Sequence, residues 1–392
     1  MGQFPPRTET ETADLMRVIQ RYITSEIVRA VTFALAAFLA LFAFFELMGE
    51  LEAVGRNGYQ LHTALLYVAM GLPGNVYELM PIAVLIGTIY ALAQLAASSE
   101  FTIMRVSSMS TKMAGKALGK IGLGFAIFTI LFGELVAPKT TELGEKIKLQ
   151  AQGSSLSQQF RSGLWAKDVI KDKGLDGNVV GTRFLNIQRI TVDGHLYGVK
   201  IYELDQDFHM SDMIVAAEGV YQDNHLWQLS DVQRTTFIFN HQSRDITAPI
   251  ATDKLKTFNF ISEVTPEILS VLFADPDHMS AYDLRAYTKH LQANNQRTER
   301  YEIAFWKKIV YPLSIFVMMA LALPFAYLHF RAGGVSLKIF TGIMIGVSFQ
   351  LVNNLFSHLG LLNSWPAPLT AALPSALYMV FALVALRLID RH

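Results

Sequence analysis

Long charge-free apolar runs alternate along the chain with segments of ordinary polarity. Ala30 to Phe45 lies uncharged between Arg29 and Glu46. Ile27, Val28, Leu47 and Met48 extend that run towards the roughly 20 residues that a membrane-crossing helix needs. Leu79 to Ala97 is a second run, with an apolar lead-in from Leu61 that Pro73, Gly74 and Glu78 interrupt. Ile121 to Pro138 is a third, with Glu134 as its one charge, and Val310 to Leu328 is a fourth. From Ile339 to Leu386 there is no Lys, Arg, Asp or Glu, and Asn363, Ser364, Pro366 and Pro368 divide that stretch into two spans. The pattern predicts six transmembrane helices.

Between the third and fourth runs the period changes. Phe184-Leu185-Asn186-Ile187 and Tyr197-Gly198-Val199-Lys200-Ile201-Tyr202 alternate as half-buried strands do, and Asp193-Gly194 between them is a hairpin signal. Asp223-Asn224 predicts a second turn. Short strands at this spacing predict a β-sandwich or roll. After Thr265-Pro266 the pattern turns helical, and Ser280 with Asp283 three residues on reads as a capping box. The expected fold class is therefore a membrane α-helical protein with an inserted all-β domain, its helices arranged three plus three. The expected divisions are 1–26 (a cytoplasmic tail and the start of an interfacial helix), 27–138 (spans one to three), 139–300 (the β domain and its trailing helix) and 301–392 (spans four to six).

Composition agrees with a mixed protein: 52% of residues are hydrophobic and 17% charged, where a soluble domain carries roughly a quarter charged. The balance of 33 basic and 33 acidic residues argues against nucleic acid as a partner. The absence of cysteine excludes disulfides and thiol chemistry. Charge distribution says more than its total. Arg7, Arg17, Arg21 and Arg29 precede span one, and Arg105, Lys112, Lys116 and Lys120 lie between spans two and three. Arg331 and Lys338 lie between spans four and five, and Arg387 and Arg391 follow span six. The loops on the opposite side hold Arg56 among acids, or no base at all. Both termini are accordingly expected in the cytoplasm and the β domain outside it. The first span reads as a retained anchor, since no small-residue cleavage site follows it.

No phosphate-binding loop, dinucleotide fingerprint, zinc spacing or nucleophile elbow occurs, so an enzyme is not expected and no metal or cofactor is assigned to this chain. Directed work would need energy from a partner or an ion gradient. The loop over about residues 98–110 reads as a short helix, with Ser98 or Ser99 as N-cap and Glu100 in its first turn. It is either an interfacial helix on lipid or a coupling helix that docks an ATPase through Glu100, Phe101, Met104 and Arg105. Glu134 and Glu78 are read as interfacial acids, with Pro81 allowing a helix break beside Glu78. Gly342-x-x-x-Gly346 is a close-packing motif.

Three spans, a β domain and three more spans, together with Ser99-Glu100-Phe101-Thr102-Ile103-Met104-Arg105-Val106-Ser107, resemble the LptF/LptG family of lipopolysaccharide export permeases. Gly133-Glu134-Leu135-Val136-Ala137-Pro138, Gly163-Leu164-Trp165-Ala166-Lys167-Asp168 and Asp275-Pro276-Asp277 are similar to its LptG branch. The resemblance implies a bacterial inner-membrane ABC transporter permease whose external domain is a periplasmic β-jellyroll. It implies LptF as heterodimer partner, two LptB ATPases that hold ATP and Mg, and LptC at the side. Lipopolysaccharide would be extracted from the inner membrane and passed towards the outer one. A permease for another lipid, or a membrane-anchored scaffold or receptor, are the alternatives.

A phosphorylated lipid with several acyl chains needs basic groups at the rim and a broad apolar wall. The family carries lysines where this chain has Glu46, Glu52, Ala53 and Gly74, so that clamp does not carry over. Lys148 and Lys308 fall where family bases sit, and Arg56, Lys139 and Lys146 are further rim candidates. The alternative for each is a lysine snorkelling to headgroups. Phe33, Phe349, Leu351, Val352 and Phe356 are the expected apolar wall.

Overall fold

The structure is a computed structural model that describes residues 9–56, 58–98, 100, 103, 111–151, 163–191, 194–222, 224–237, 250–271, 276–294, 296–327 and 335–390. Among the described residues it contains six helical segments long and apolar enough to cross a membrane, as the sequence predicts. α1 is Glu9–Leu51, and it runs unbroken from Glu9 into the first span. α2 is Leu61–Ala97. α3, Thr111–Leu131, passes through a π-helical turn at Phe132–Val136 into α4, Ala137–Ala151. Six strands follow: β1 Leu164–Lys173, β2 Asp176–Ile190, β3 Leu196–Leu204, β4 Met210–Gln222, β5 Leu226–Phe237 and β6 Ile250–Ile261. Then come α5 Pro266–Val271, α6 Ala281–Ala293, α7 Glu299–Val310, α8 Ser314–Ala322, α9 Pro324–Tyr327, α10 Val335–Leu362 and α11 Ala367–Asp390. The chain forms two compact units, a membrane unit of 1–49, 68–141 and 299–392, and a β unit of 50–67 and 142–298.

In the membrane unit α2 is central. Of its most apolar stretch 83% is buried, against 11% for α1 and 17% for α10, although all three are similarly hydrophobic. Lipid offers no hydrophobic drive between helices, so burial here depends on close van der Waals fit. Gly87 supplies it on one side: a Cβ there would lie 2.6 Å from the backbone N and Cα of Val31. On another side the Gly342/Gly346 pair admits Ile89 and Ile82, whose side chains a Cβ would meet at 2.7 and 2.9 Å. α2 continues through both Pro73 and Pro81, so the break expected beside Glu78 is absent. Tyr311 donates its hydroxyl to the Glu78 carbonyl, giving that polar stretch a partner from the fourth span.

The β unit is one antiparallel sheet in the order β1-β2-β3-β4-β5-β6, so the expected jellyroll takes the form of an up-and-down meander. Asp193 and Asp223 of the two predicted turns lie outside the described residues, and the strands on either side of each pair as hairpins. Gly194 has φ +80° beside the Thr191–His195 backbone bond of 2.9 Å, and Asn224 and His225 have φ of 63° and 61°. The turn between β3 and β4 carried no glycine signal. Its Asp205 carboxylate instead accepts the backbone N–H groups of Asp207 and His209 at 2.9 and 2.8 Å. Those two bonds hold the Asp205 carboxyl below the usual carboxylate range. Inward residues Leu185, Ile187, Val199, Ile201, Ile214, Trp227 and Leu229 make one core. The Trp227 indole N–H donates to the Val264 carbonyl at 2.7 Å, which satisfies its one polar atom.

Polar contacts draw the first and last strands together. Asp168 on β1 is fully buried and accepts from Ser262 at 2.6 Å, just past β6. Arg183 on β2 lies 3.5 Å from Asp168, donates to the Ile261 carbonyl at 3.0 Å and pairs with Glu203 at 2.7 Å. Lys171 meets Glu263 at 2.6 Å. Burial pushes the Asp168 carboxyl up, while Ser262 and Arg183 pull it back. α6 begins with the predicted capping box: Asp283 N donates to Ser280 Oγ at 3.1 Å, and that hydroxyl donates to Asp283 Oδ2 at 2.6 Å.

Candidate functional site

Four groups of residues bear on function, and each is described within its own unit. The first is the loop after α2. Glu100 and Ile103 are helical there, and Glu100 is half-buried and accepts a hydrogen bond from the Tyr22 hydroxyl of α1. Phe101, Met104 and Arg105 lie outside the described residues. Sequence reasoning missed Tyr22, which sits one helix away with no local motif to mark it.

The expected rim bases divide between the units. In the membrane unit Lys139 is exposed at the start of α4. Lys308 is only 8% exposed and donates to the Gly133 carbonyl at 3.2 Å, with its ammonium 4.7 Å from the centre of the Tyr77 ring. Gly133 lies in the π-helical turn, where the wider winding shifts carbonyls out of the α-helical register. A Cβ at Gly133 would overlap the Tyr77 ring. Lys308 is thus a buried cation tied to span three. A long apolar stem packed among rings makes such a site tolerable.

In the β unit Arg56 is exposed, while Lys146 pairs with Glu142 one turn away at 2.6 Å. Lys148 is engaged more fully. It meets Glu50 Oε1 at 2.6 Å and lies 4.3 Å over the Tyr67 ring. The buried Tyr59 donates to the other Glu50 oxygen at 2.9 Å, and Tyr67 donates to Glu145 at 2.9 Å. Burial and the neighbouring Glu50 charge push the Tyr59 phenol well up. This cluster joins the end of α1, the turn after it, the start of α2 and the end of α4. Sequence reasoning picked out Lys148 but not its partners, because Glu50, Tyr59, Tyr67 and Glu145 are far apart in the chain.

Of the acids that replace family lysines, Glu46 accepts from Asn75 at 3.4 Å and packs on Gly71, where a Cβ would stand 3.1 Å from its carboxylate. Glu52 is exposed, Ala53 half-buried and Gly74 buried. The expected apolar wall separates into two sets. Phe33 and Leu351 are 78% and 65% exposed on bare helix faces. Phe349 is 1% exposed and packs in the helix core, set edge-on against Tyr378 with Val352 beside it. Phe356 is half-buried near Trp365. Asp205, Asp207 and His209 bring three possible metal ligands within 4.8 Å of one another. The backbone bonds of their own turn account for that grouping.

The Gly163–Asp168 run also acquires a physical reading. Gly163 has φ +78° and lies against the Ile187 carbonyl, and Leu164 and Ala166 point into the core. Trp165 stacks on Tyr202 with centroids 5.8 Å apart, Lys167 donates to the Asn294 carbonyl at 3.0 Å, and Asp168 anchors the buried network.

Six apolar helices with an antiparallel sheet inserted between the third and fourth define a polytopic membrane protein carrying one β domain. The chain belongs to the lipopolysaccharide export system permease LptF/LptG family, whose pattern it matches over residues 21–388. It is similar to the lipopolysaccharide export system permease protein LptG of Escherichia coli strain K12, at 29% identity over 371 residues, 93% of this chain and 97% of that protein. It is also similar to the LptG of Haemophilus influenzae, at 28% identity over 372 residues with the same coverage. The chain is therefore a permease-family transport protein of the lipopolysaccharide export class.

Proposed function

We propose that this chain is the LptG-type half of an ABC transporter that extracts lipopolysaccharide from the bacterial inner membrane. The observation that carries the reading is a match to LptG proteins along 93% of the chain, which takes in both the spans and the inserted sheet. In this reading LptF forms the other half, two LptB subunits bind and hydrolyse ATP with Mg, and LptC joins from the side. This chain itself catalyses nothing and holds no cofactor.

Several features support those assignments. Spans one and five leave most of their apolar surface uncovered, as Phe33, Phe44, Phe45, Phe340, Met344 and Leu351 illustrate. Such faces suit a second membrane subunit and the acyl chains of a lipid. The basic loops support a reading with both termini in the cytoplasm and the β domain in the periplasm. In this reading the segment 98–110 couples to the ATPase through Glu100, Phe101, Met104 and Arg105. Glu100 hands motion to span one through Tyr22. The exposed Arg56 and Lys139 remain the best rim bases for lipid phosphates, with Lys146 and Lys148 drawn in by exchange from their carboxylate partners. The β domain passes lipid, or the strand pairing that guides it, to the periplasmic bridge.

The test is ATP-driven lipopolysaccharide release from proteoliposomes holding the whole complex. Glu100→Ala with Arg105→Ala is expected to weaken ATPase association and abolish coupled release. Undiminished release would remove the coupling role, and intact assembly with no release in the unaltered complex would favour a scaffold.

A further inference from the structure

The helix that leads from the sheet to the fourth span is capped at its start by its own residues and fastened to the strands near its end. At its start lies the Ser280–Asp283 capping box. Along its length Leu284, Tyr287 and Leu291 are buried. Near its end His290 stacks on Tyr287 and sits 3.8 Å from Glu263, which also holds Lys171 of β1. Its C-cap residue, Asn294, is fully buried, and its side-chain amide donates to the His290 carbonyl at 3.0 Å. The Asn294 carbonyl points out of the helix end and receives the Lys167 ammonium from β1, 127 residues away.

A helix C-terminus leaves its last carbonyls without helical donors and carries partial negative charge. A cation there normally comes from the helix's own last turn. Here β1 supplies it, from the position next to the buried Asp168 that fastens β1 to the end of β6. α7 starts at Glu299, within the membrane unit, so only a few residues separate the capped end of α6 from the fourth span.

The Gln296 N–H also donates to the Leu291 carbonyl at 2.9 Å. We infer that Lys167 caps α6 from the sheet and makes that helix a rigid extension of the β unit, so that the pivot to the fourth span is confined to residues 297–298. Lys167 is a positioning residue: it touches no lipid and sets where the chain bends. Movement of the fourth span then reaches the β unit as a rotation of the whole body, without unwinding α6. The inference concerns the helix and its cap and stands whether or not the transported lipid is the one proposed above.

The absence of native cysteine permits paired spin labels in the full chain, purified with its partners in nanodiscs. Labels at Tyr282→Cys on α6 and Glu218→Cys on β4, both exposed, report the body. Labels at Tyr282→Cys and Ile309→Cys report the pivot. A narrow distance distribution is expected for the first pair with and without a nucleotide trap, and a broad or shifting one for the second. Lys167→Met should at least double the width of the first distribution, and Lys167→Arg should keep it narrow. An unchanged width in Lys167→Met, or a fixed second pair with a moving first pair, overturns the inference. If Lys167→Met does not assemble, amide exchange in the unaltered protein decides. Protection of Lys289–Leu291 equal to that of the central strands supports the rigid extension, and exchange about tenfold or more faster overturns it.

Discussion

The membrane unit and the β unit are built from the same chain by opposite devices. In the membrane unit helices meet where side chains are missing: Gly87 lets Val31 in, and Gly342 and Gly346 let in Ile89 and Ile82. In the β unit the sheet is drawn round by side chains that are present and charged: Asp168, Arg183, Glu203, Lys171 and Glu263. The difference follows from solvent. Water drives the sheet's apolar face inward and leaves polar groups to fix how it closes, whereas in lipid only fit distinguishes one helix neighbour from another. The same contrast explains why α1 and α10 stay bare inside the chain while β1 to β6 share one core.

The contrast can be broken from either side. The largest effect is expected for Trp227→Ala, which empties the middle of the β core and strands the Val264 carbonyl. A loss of about 3–5 kcal/mol in β-unit stability should appear as faster amide exchange across β3 to β5, with the spans unchanged. Asp168→Ala comes next. It leaves Arg183 short of one buried partner, and about 3 kcal/mol is expected from the same measurement. Gly87→Leu tests the other unit. Its overpacking should cost about 1–3 kcal/mol, read as earlier thermal release of the spans with β-unit exchange intact.

The smallest effect is on pH. Burial holds the His290 imidazole below its ordinary range, against the pull of Glu263 and Asp168. The unfolded chain therefore takes up its proton first as pH falls through about 6.5, and β-unit stability declines below that point. His290→Gln should flatten the decline of β-unit melting temperature between pH 7 and 5. The membrane unit supplies the comparison, and its melting should not follow His290.

Much of this was legible in the sequence where the signal is local. Charge-free runs marked the spans, Asp193-Gly194 and Asp223-Asn224 marked two hairpins, and Ser280 with Asp283 marked the start of α6. What depends on distant partners was not legible. Lys308 reads as a rim lysine by position, but a π-helical turn in another span gives it an interior acceptor. Phe349 reads as cavity wall, but Tyr378 covers it from the last helix. Lys148 stood out as a base, and only the fold shows Glu50, Tyr59 and Tyr67 closing on it. Prolines read differently: Pro73 and Pro81 inside α2 allow a break, yet the helix runs on through both.

The central claim is that this chain is the LptG-type half of a lipopolysaccharide exporter, and native mass spectrometry after gentle extraction from its own membranes tests it most directly. The account predicts one copy of this chain with one related permease subunit and two ATPase subunits, carrying bound lipopolysaccharide. A chain recovered alone or with periplasmic proteins only, or a complex carrying a different lipid, would contradict it.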